Sequence, residues 1–253
     1  MKELIKKIFR SLQVYFPFLQ DLRFRTQMRL HKLLGVPHEE DFSLLKHFPD
    51  NGEVTFVDIG TNRGEAIQSM LTMKKNCKVI GFEPNPIVFA KTASIYKNSR
   101  QVQLHNCGLG TSKGAFTLYL PYFRKFMFDG LASFKKEEAS DWLKGRIFGY
   151  SPRHVHIKEV NCEVKKLDDF ELSPSFIKID VQGFEYEVLE GARNTIQKHR
   201  PVLLIETPSE KVTDLLRSFG YKPYYYANKK LAPGRGTLNT YYLQDDNKLP
   251  GVM

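Results

Sequence analysis

Acidic residues near the ends of predicted strands are the side chains of this sequence best placed to do chemistry. Asp58 lies near the end of the apolar run Val54–Ile59, and Gly60 and Gly64 follow it in a polar turn. Glycines let the backbone turn tightly, and the helix predicted to begin near Glu65 presents unpaired N–H groups to the same turn. A carboxylate here repels a pyrophosphate and attracts a cation. The D-x-G-x-x-x-G spacing therefore favours S-adenosylmethionine, which carries a sulfonium and an ammonium, over NAD.

A second acid, Glu83, ends the next predicted strand, Lys78–Phe82. An acid about 20 residues beyond such a glycine loop binds the ribose in dinucleotide-binding α/β units. The alternative interpretation is structural, with Asp58 capping the following helix and Glu83 as an ordinary surface acid. The predicted cofactor-binding residues are Asp58, Gly60, Asn62, Gly64, Glu83, Pro84, Asn85, Asn106 and Cys107.

Two further acids stand near the ends of later predicted strands, Asp180 in Phe176–Val181 and Glu206 in Val202–Glu206. Ligands of an open parallel sheet bind beyond the carboxyl ends of the strands, so both side chains are expected at the site. Methylation of an alcohol requires its proton to leave, and we predict Asp180 as the base, with Glu206 second. A cofactor contact or a helix cap is an equally good interpretation of Asp180. Two acids are a thin ligand set for a divalent cation, so no metal site is predicted.

These residues are carried by a repeated order of strand and helix. That order predicts an α/β fold with a doubly wound, mostly parallel sheet of seven strands. Residues 1–50 are predicted to form an N-terminal helical extension, and residues 51–253 to form the cofactor-binding domain. The predicted elements include helices at Leu19–Leu34 and Phe184–Lys198 and a last strand at Thr237–Leu243, after a flexible Pro233–Gly236 turn.

Residues 111–170 interrupt this order after the third strand. Ala115–Leu120 and Val155–Val164 alternate like antiparallel strands, and the aromatic and basic stretch between them includes Trp142 and Arg146. Two interpretations are equally good: an insertion over the active site, or a surface excursion whose aromatic side chains complete the core.

The composition is typical of a globular protein of 253 residues, with 42% hydrophobic residues. No apolar run approaches the ~20 residues of a membrane-spanning helix, and no secretory signal is recognisable. Three cysteines without a C-x-x-C spacing argue against a disulfide framework. We therefore expect a cytoplasmic protein with reduced thiols.

The net charge of +10 is concentrated near the N-terminus. Residues 1–35 carry eight lysines and arginines against two acids, and the first part of this stretch has the spacing of an amphipathic helix. One interpretation is a basic helix in peripheral contact with an anionic membrane, at the inner face of the cell membrane, or with an acidic partner. The favoured alternative is a lid or a homodimer helix that packs on the domain with its basic face in water.

Several segments together resemble the FkbM-type S-adenosylmethionine-dependent methyltransferases. The resemblance covers about residues 41–243, and the order K-I-D-V-x-G-x-E is its specific part. Thr61 and Gln182 depart from residues common in the family. The resemblance implies a Rossmann-like methyltransferase fold and methylation of hydroxyl groups, often on sugars or polyketide-derived molecules. The matching segments are Asp58–Gly64, Phe82–Asn85, Ile177–Glu185, Val188–Ala192 and Pro201–Glu206.

The expected acceptor is a hydroxyl of a sugar, a glycan or another natural product. An RNA-directed methyltransferase would account for the positive charge, but the N/D-P-P-Y-type segment of amino methylation is replaced here by Asp180–Gly183. No nucleic-acid partner is therefore expected. A non-catalytic module that binds the cofactor or a membrane is the third possibility.

Overall fold

The structure is a computed structural model that describes residues 2–49, 52–136, 147–245 and 249. Trp142 and Arg146, predicted to belong to the insertion, lie outside these residues. The α-helices of the described chain are α1 Lys2–Tyr15, α2 Phe18–Leu34, α3 Glu65–Met73, α4 Pro86–Tyr96, α5 Glu185–Glu190, α6 Arg193–His199 and α7 Glu210–Ser218. Short 3-10 helices cover Glu40–His47, Asp129–Leu131, Pro152–His154 and Leu167–Phe170. The strands are β1 Val54–Ile59, β2 Cys77–Phe82, β3 Val102–His105, β4 Gly108–Leu109, β5 Gly114–Phe123, β6 Phe126–Met127, β7 Val155–Lys165, β8 Phe176–Ile179, β9 Val202–Glu206, β10 Lys222–Ala227, β11 Lys230–Pro233 and β12 Asn239–Leu243.

The main sheet has the strand order β11-β10-β12-β9-β8-β1-β2-β3. The strands from β9 to β3 pair in parallel, whereas β12, β10 and β11 are antiparallel. The predicted class, α/β with a mostly parallel sheet, is confirmed. The predicted count of seven strands is one too low, because Lys230–Pro233, for which no strand is predicted, pairs with β10 as an edge hairpin.

Both faces of this sheet are buried, because neighbouring residues of a strand point to opposite sides. Phe56 and Phe176 pack with Met70 of α3 on one face. Val57 and Ile177 pack on the other face with side chains of α5, α6 and α7. Each such side chain contributes about 1.5–3 kcal/mol by leaving water. This two-sided burial is what a doubly wound sheet requires.

The N-terminal residues pack on the rest of the chain at two places. Phe42 and Leu45 of the first 3-10 helix are fully buried in the core that contains Phe56. Val14 of α1 is buried against Phe123, and the same cluster includes other residues of the insertion. The division of the chain at residue 50 stays a prediction, but the core beneath the main sheet extends across it.

One predicted helix is two. Residues 184–198 form α5 and α6, which are separated where Gly191 passes the carbonyl oxygen of Gly110 so closely that a Cβ would lie 1.9 Å from it. The Asp168 carboxylate accepts the N–H of Thr195 at 2.8 Å and so satisfies the first turn of α6. The break therefore comes from a backbone contact and a cap supplied by distant segments, neither of which leaves a mark in the helix's own periodicity.

The insertion is built on a second sheet with the order β4-β7-β5-β6. Its long hairpin, β5 with β7, pairs Gly114 with Val164 at one end and Phe123 with Val155 at the other. No helix in the described part of the chain is long and apolar enough to cross a membrane. The parallel strands β1, β2, β8 and β9 all end at one edge of the main sheet, where the loops of the site meet.

Candidate active site

The glycine loop after β1 is held against the end of β8. Gly60 has φ +84°, and a Cβ on it would lie 1.9 Å from the carbonyl oxygen of Asp180. The Asp180 N–H in turn donates to the carbonyl of Ile59 at 3.0 Å. Only glycine fits this approach without backbone displacement. The cofactor loop and the predicted catalytic residue are therefore in direct backbone contact.

Helix α4 braces the same loop from the other side. The Thr92 hydroxyl donates to the carbonyl of Asn62 at 2.7 Å, and the Tyr96 hydroxyl donates to the carbonyl of Gly64 at 3.0 Å. Gly64 also needs its left-handed φ of +85° and lies where a Cβ would meet the Tyr96 ring at 2.9 Å. The loop is thus a preformed part of the fold.

Glu83 at the end of β2 is buried and joined to the loop by backbone N–H groups. Its carboxylate accepts from the N–H of Asn62 at 2.8 Å and from the N–H of Asn85 at 2.9 Å. Burial raises the pKa of Glu83 to about 7, although these two hydrogen bonds lower it. Each oxygen has a further lone pair, so the side chain can accept hydroxyl groups of a ligand.

Two of the predicted cofactor residues serve the backbone instead. The Asn85 side chain caps α4 by accepting the N–H of Ile87 at 3.1 Å. The Asn106 amide donates to the carbonyl of Glu83 at 2.8 Å. Neither side chain lines the cavity described below. Their polar groups hold the β2–α4 turn in shape, because buried backbone carbonyls and N–H groups must find partners.

Asp58 is fully buried at the end of β1, and neither of its oxygens has a hydrogen-bond partner. The Lys178 ammonium is 3.8 Å from Asp58 Oδ1, which is an ion pair beyond hydrogen-bond distance. Burial raises the pKa of Asp58 to about 7, against the lowering effect of the Lys178 charge. The Thr61 hydroxyl oxygen and Asn62 Oδ1 are also buried without partners. Unpartnered polar atoms around one loop are what a site with a polar, cationic ligand requires.

Asp180 has the opposite environment. Its carboxylate receives Lys178 Nζ at 3.0 Å and Gln182 Nε2 at 2.9 Å, and it is hydrogen-bonded to Glu206. Burial opposes ionisation, but the Lys178 charge and these hydrogen bonds outweigh it and lower the pKa of Asp180. The pKa of Glu206 shifts in the opposite direction: burial and the hydrogen bond to ionised Asp180 both raise it. The opposite directions of these two pKa shifts favour a single proton on the pair, held by Glu206.

A cavity of about 640 Å³, including the space at its mouth, opens between this edge of the sheet and the insertion. The insertion roofs the cavity, because residues 129–134 lie over it and the Ser133 hydroxyl donates to the carbonyl of Gln182 at 3.1 Å. The cavity is lined by Ile59, Gly60, Asn62, Phe82, Glu83, Pro84, Cys107, Gly108, Leu109, Leu118, Asp129, Gly130, Ala132, Ser133, Phe134, Asp180, Val181 and Gln182.

Arg63 of the glycine loop joins the N-terminal helix to this roof. Its guanidinium forms ion pairs with Asp21 of α2 and with Asp129 of the insertion. Arg63 Nη2 also donates to Gln20 Oε1 at 2.8 Å, and Gln20 donates to Asp129 at 3.3 Å. Three separate parts of the chain therefore meet at one half-buried arginine beside the cavity.

The predicted residues thus divide by position. Gly60, Asn62, Glu83, Pro84, Cys107 and Asp180 line the cavity, whereas Asp58, Gly64, Asn85, Asn106 and Glu206 lie behind or beside it. Sequence reasoning missed Lys178, Gln182 and Asp129. The signal for Lys178 was available, since a lone cation inside the apolar strand Phe176–Ile179 must be paired when the strand is buried. Asp129 gave no such signal.

A doubly wound sheet with this glycine loop, and with buried acids at the ends of β1 and β2, is the arrangement of the Rossmann-like methyltransferases. The sequence profile of the methyltransferase FkbM domain matches residues 58–223. The chain belongs to the FkbM methyltransferase family, and its cofactor is S-adenosylmethionine. Asn62, whose Oδ1 has no partner, lines the cavity, and the Asp58 carboxyl group at the adjacent strand end suits a cationic cofactor. No curated protein matches the sequence.

Solved structures with a similar fold are distant in sequence. Methyltransferase FkbM from Methylobacillus flagellatus KT is 20% identical with a TM-score of 0.50, and the match covers 81% of this chain and 48% of that one. This chain therefore spans about half the length of that relative. Fibrillarin from Aeropyrum pernix, solved with S-adenosyl-L-methionine bound, is 13% identical (TM-score 0.41; 80% and 72% covered). An S-adenosylmethionine-dependent O-methyltransferase from Thermotoga maritima is 11% identical (TM-score 0.36; 83% and 66% covered).

Proposed function

We propose that this protein methylates a hydroxyl group of a sugar, a glycan or another natural-product acceptor. The observation that carries the proposal is the Asp180 carboxylate, which lines the cavity and is hydrogen-bonded to the Glu206 carboxyl group. A carboxylate accepts a hydrogen bond from a hydroxyl and can take its proton, which is what O-methylation needs from a side chain. Family membership supports the transfer of a methyl group and leaves the acceptor open.

In this proposal the glycine loop and Glu83 hold the cofactor, which supplies an electrophilic methyl group when bound. The two free lone pairs of Glu83 accept the ribose hydroxyls, and its backbone hydrogen bonds keep it aligned for them. The buried Asp58 carboxylate favours the cofactor's positive charge. Asn85 and Asn106 contribute by fixing the turn that carries Glu83.

Glu206 is the proton acceptor in this proposal, and Asp180 orients the acceptor hydroxyl. Asp180 is a weak base because Lys178, Gln182 and Glu206 all stabilise its ionised form. Glu206 is half-buried on the neighbouring strand, and its raised pKa makes its ionised form a stronger base. Its proton must leave before it can act, so turnover should rise with pH. Much of the rate enhancement then comes from holding the acceptor oxygen in line with the methyl group.

The acceptor is found by mass spectrometry of glycans and small molecules from matched strains with and without the gene. A mass difference of one CH2 on a hydroxyl-bearing molecule supports the proposal. A difference confined to RNA nucleosides would favour the RNA-directed alternative. No difference in any fraction, with cofactor binding intact, would favour a non-catalytic module.

The cofactor assignment is tested by calorimetry with S-adenosylhomocysteine. Glu83→Gln should weaken binding by about 1–3 kcal/mol, because hydrogen bonds to buried ligand hydroxyls are lost. Glu53→Gln removes the same charge at an exposed position before β1 and serves as the matched control. Equal affinity in Glu83→Gln and the control removes Glu83 from the site.

The roles of the carboxyl pair are separated by kinetics with the identified acceptor. Glu206→Gln should lower turnover by ~10²–10⁴-fold and remove its rise with pH, with little change in cofactor affinity. Asp180→Asn should raise the KM of the acceptor as well as lower turnover. If Asp180→Asn alone abolishes the pH dependence, the base is Asp180. If either variant loses cofactor binding and turnover in parallel, that residue is a binding residue.

A further inference from the structure

The side of α2 that faces away from the protein is apolar and open to solvent. Leu33 is 83% exposed and Leu22 is 58% exposed, and they follow the helical spacing that groups them with Phe18, Leu30 and Leu34. We call these five residues the outer face of α2. Single exposed leucines are ordinary, but five large apolar side chains exposed on one side of a single helix mark an interaction surface, although Arg23, Thr26 and Arg29 lie among them. The outer face is therefore a candidate docking surface.

The opposite side of α2 holds the helix firmly to the body of the protein. Phe24 is buried, and the Arg63 guanidinium lies 5.7 Å from the centre of its ring. Asp21 pairs with Arg63 and, at 3.1 Å, with Lys91 of α4. Helix α2 is therefore held in place by its inner side, and its outer face stays exposed to solvent.

Positive charge borders the outer face. Arg25, Arg29 and Lys32 of α2 are exposed, and with Lys91 they line an open groove between α2 and α4. Within the described residues, no ion pair is formed by the three α2 side chains. Exposed apolar side chains with cations among and beside them on one side of a helix suit the interface of an anionic bilayer, which takes up both kinds of group.

The charges around the outer face also disfavour two other partners, a second copy of this chain and an acidic protein. A second copy docked through the same face would bring two sets of these cations together, and like charges oppose such a contact. An acidic protein would satisfy the cations but offers no general reason for the five apolar residues. A bilayer with anionic lipids satisfies both, because its acyl region takes the apolar side chains and its headgroups take the cations.

We propose that the outer face of α2 docks on the surface of an anionic lipid bilayer. Phe18, Leu22, Leu30, Leu33 and Leu34 enter the boundary between headgroups and acyl chains. Arg25, Arg29 and Lys32 contact the headgroups from the adjoining groove. This attachment is peripheral and does not depend on methyl transfer.

The test is co-sedimentation of the full chain with vesicles of phosphatidylcholine, with and without phosphatidylglycerol. Wild-type protein should bind only the anionic vesicles, and added salt should weaken the binding. The double variant Arg25→Gln/Arg29→Gln should bind roughly 10- to 30-fold more weakly, since each cation contributes about 1 kcal/mol. Leu22→Gln/Leu33→Gln should reduce binding roughly tenfold or more, because two apolar side chains no longer enter the interface.

The control variants carry substitutions of the same type at exposed positions elsewhere. Lys229→Gln/Lys230→Gln removes two exposed cations from the β10–β11 turn, and Leu238→Gln alters an exposed leucine near β12. Both should bind vesicles like wild type, and the melting temperature of every variant shows that it is folded. Absence of vesicle binding by wild-type protein overturns the proposal, as does binding that the α2 variants and the controls weaken equally. A wild-type dimer in light scattering that Leu33→Gln dissociates, without vesicle binding, would make the outer face a contact between copies.

Discussion

Asp58 and Asp180 end neighbouring strands and face the same lysine, yet their environments are opposite. Asp58 is fully buried with no hydrogen-bond partner, and burial raises its pKa to about 7. Asp180 is held by Lys178, Gln182 and Glu206, which outweigh its burial and lower its pKa. The difference lies in the donors around each carboxylate, since both lie at the end of a parallel strand.

This contrast gives the carboxyl groups at one edge of the sheet two different roles, attraction of a cationic ligand and binding of a proton. The unpartnered Asp58 leaves capacity for a cationic ligand beside the glycine loop. Asp180 binds a proton weakly, and its ionised carboxylate stabilises the protonated form of Glu206. Lys178 lies against both carboxylates, so its substitution should disturb both environments at once.

Lys178→Met should have the largest effect. The change leaves Asp58 and Asp180 without their shared cation, and removing one partner of a buried ion pair costs about 3–5 kcal/mol of unfolding free energy. Urea unfolding at neutral pH measures the loss. Lys158→Met, at an exposed position of β7, is the control and should change stability by less than about 0.5 kcal/mol.

The double variant Lys178→Met/Asp180→Asn should recover part of this loss, because it also removes a charge left unpaired. A double variant as unstable as the sum of both single changes would show that Lys178 acts by packing alone.

Gly60→Ala should have the next largest effect, because it pushes the glycine loop away from Asp180 at the end of β8. A Cβ at Gly60 collides with the carbonyl of Asp180, and its φ of +84° is unfavourable for alanine. We expect a loss of about 2–3 kcal/mol in unfolding free energy, together with weaker binding of S-adenosylhomocysteine. Gly52→Ala is the matched control, since nothing lies within 4 Å of its added Cβ. Similar stability and affinity in both variants would contradict the close backbone contact.

Glu206→Gln should change how stability depends on pH. The folded pKa of Glu206, about 8, lies above its ordinary value of 4.5. Between these values the folded protein holds a proton that the unfolded chain has lost, so this residue makes stability fall as pH rises. Between pH 5 and pH 8 the free energy of unfolding of Glu206→Gln should fall by about 1–2 kcal/mol less than that of the wild type, after discounting for the partial exposure of Glu206. Thermal melts across this range measure the effect, and parallel curves for both proteins would show that Glu206 is not protonated in the fold.

Asp58→Asn should have the smallest effect. Below a pKa of about 7 the Asp58 side chain is largely protonated, and an amide of similar shape replaces it with a change of less than ~1 kcal/mol at pH 6. Asp180→Asn should cost more at the same pH, because it removes an ionised acceptor from three donors. Equal losses in denaturant unfolding would mean that the two carboxylates do not differ as described.

Much of the site follows from local sequence. Asp58, Glu83 and Glu206 each end a short apolar run, and parallel strands end at a common edge of the sheet, so their convergence could be predicted. Gly60 and Gly64 could be recognised because their conformations are needed within the loop itself. The sheet class followed in the same way from the order of strands and helices. These features depend on residues that are close together along the chain.

The tertiary structure decided which side chains face the ligand cavity and which hold a proton. Asn85 and Asn106 stand at predicted positions but bind the backbone, and Asp129 reaches Arg63 from 66 residues away. The hairpin strand Lys230–Pro233 and the break at Gly191 likewise depend on partners elsewhere in the chain. The physical reason is that hydrogen-bond partners and burial set both the availability and the pKa of a polar group. The sequence determined the type and order of these groups, whereas their partners and burial were settled only when distant segments packed together.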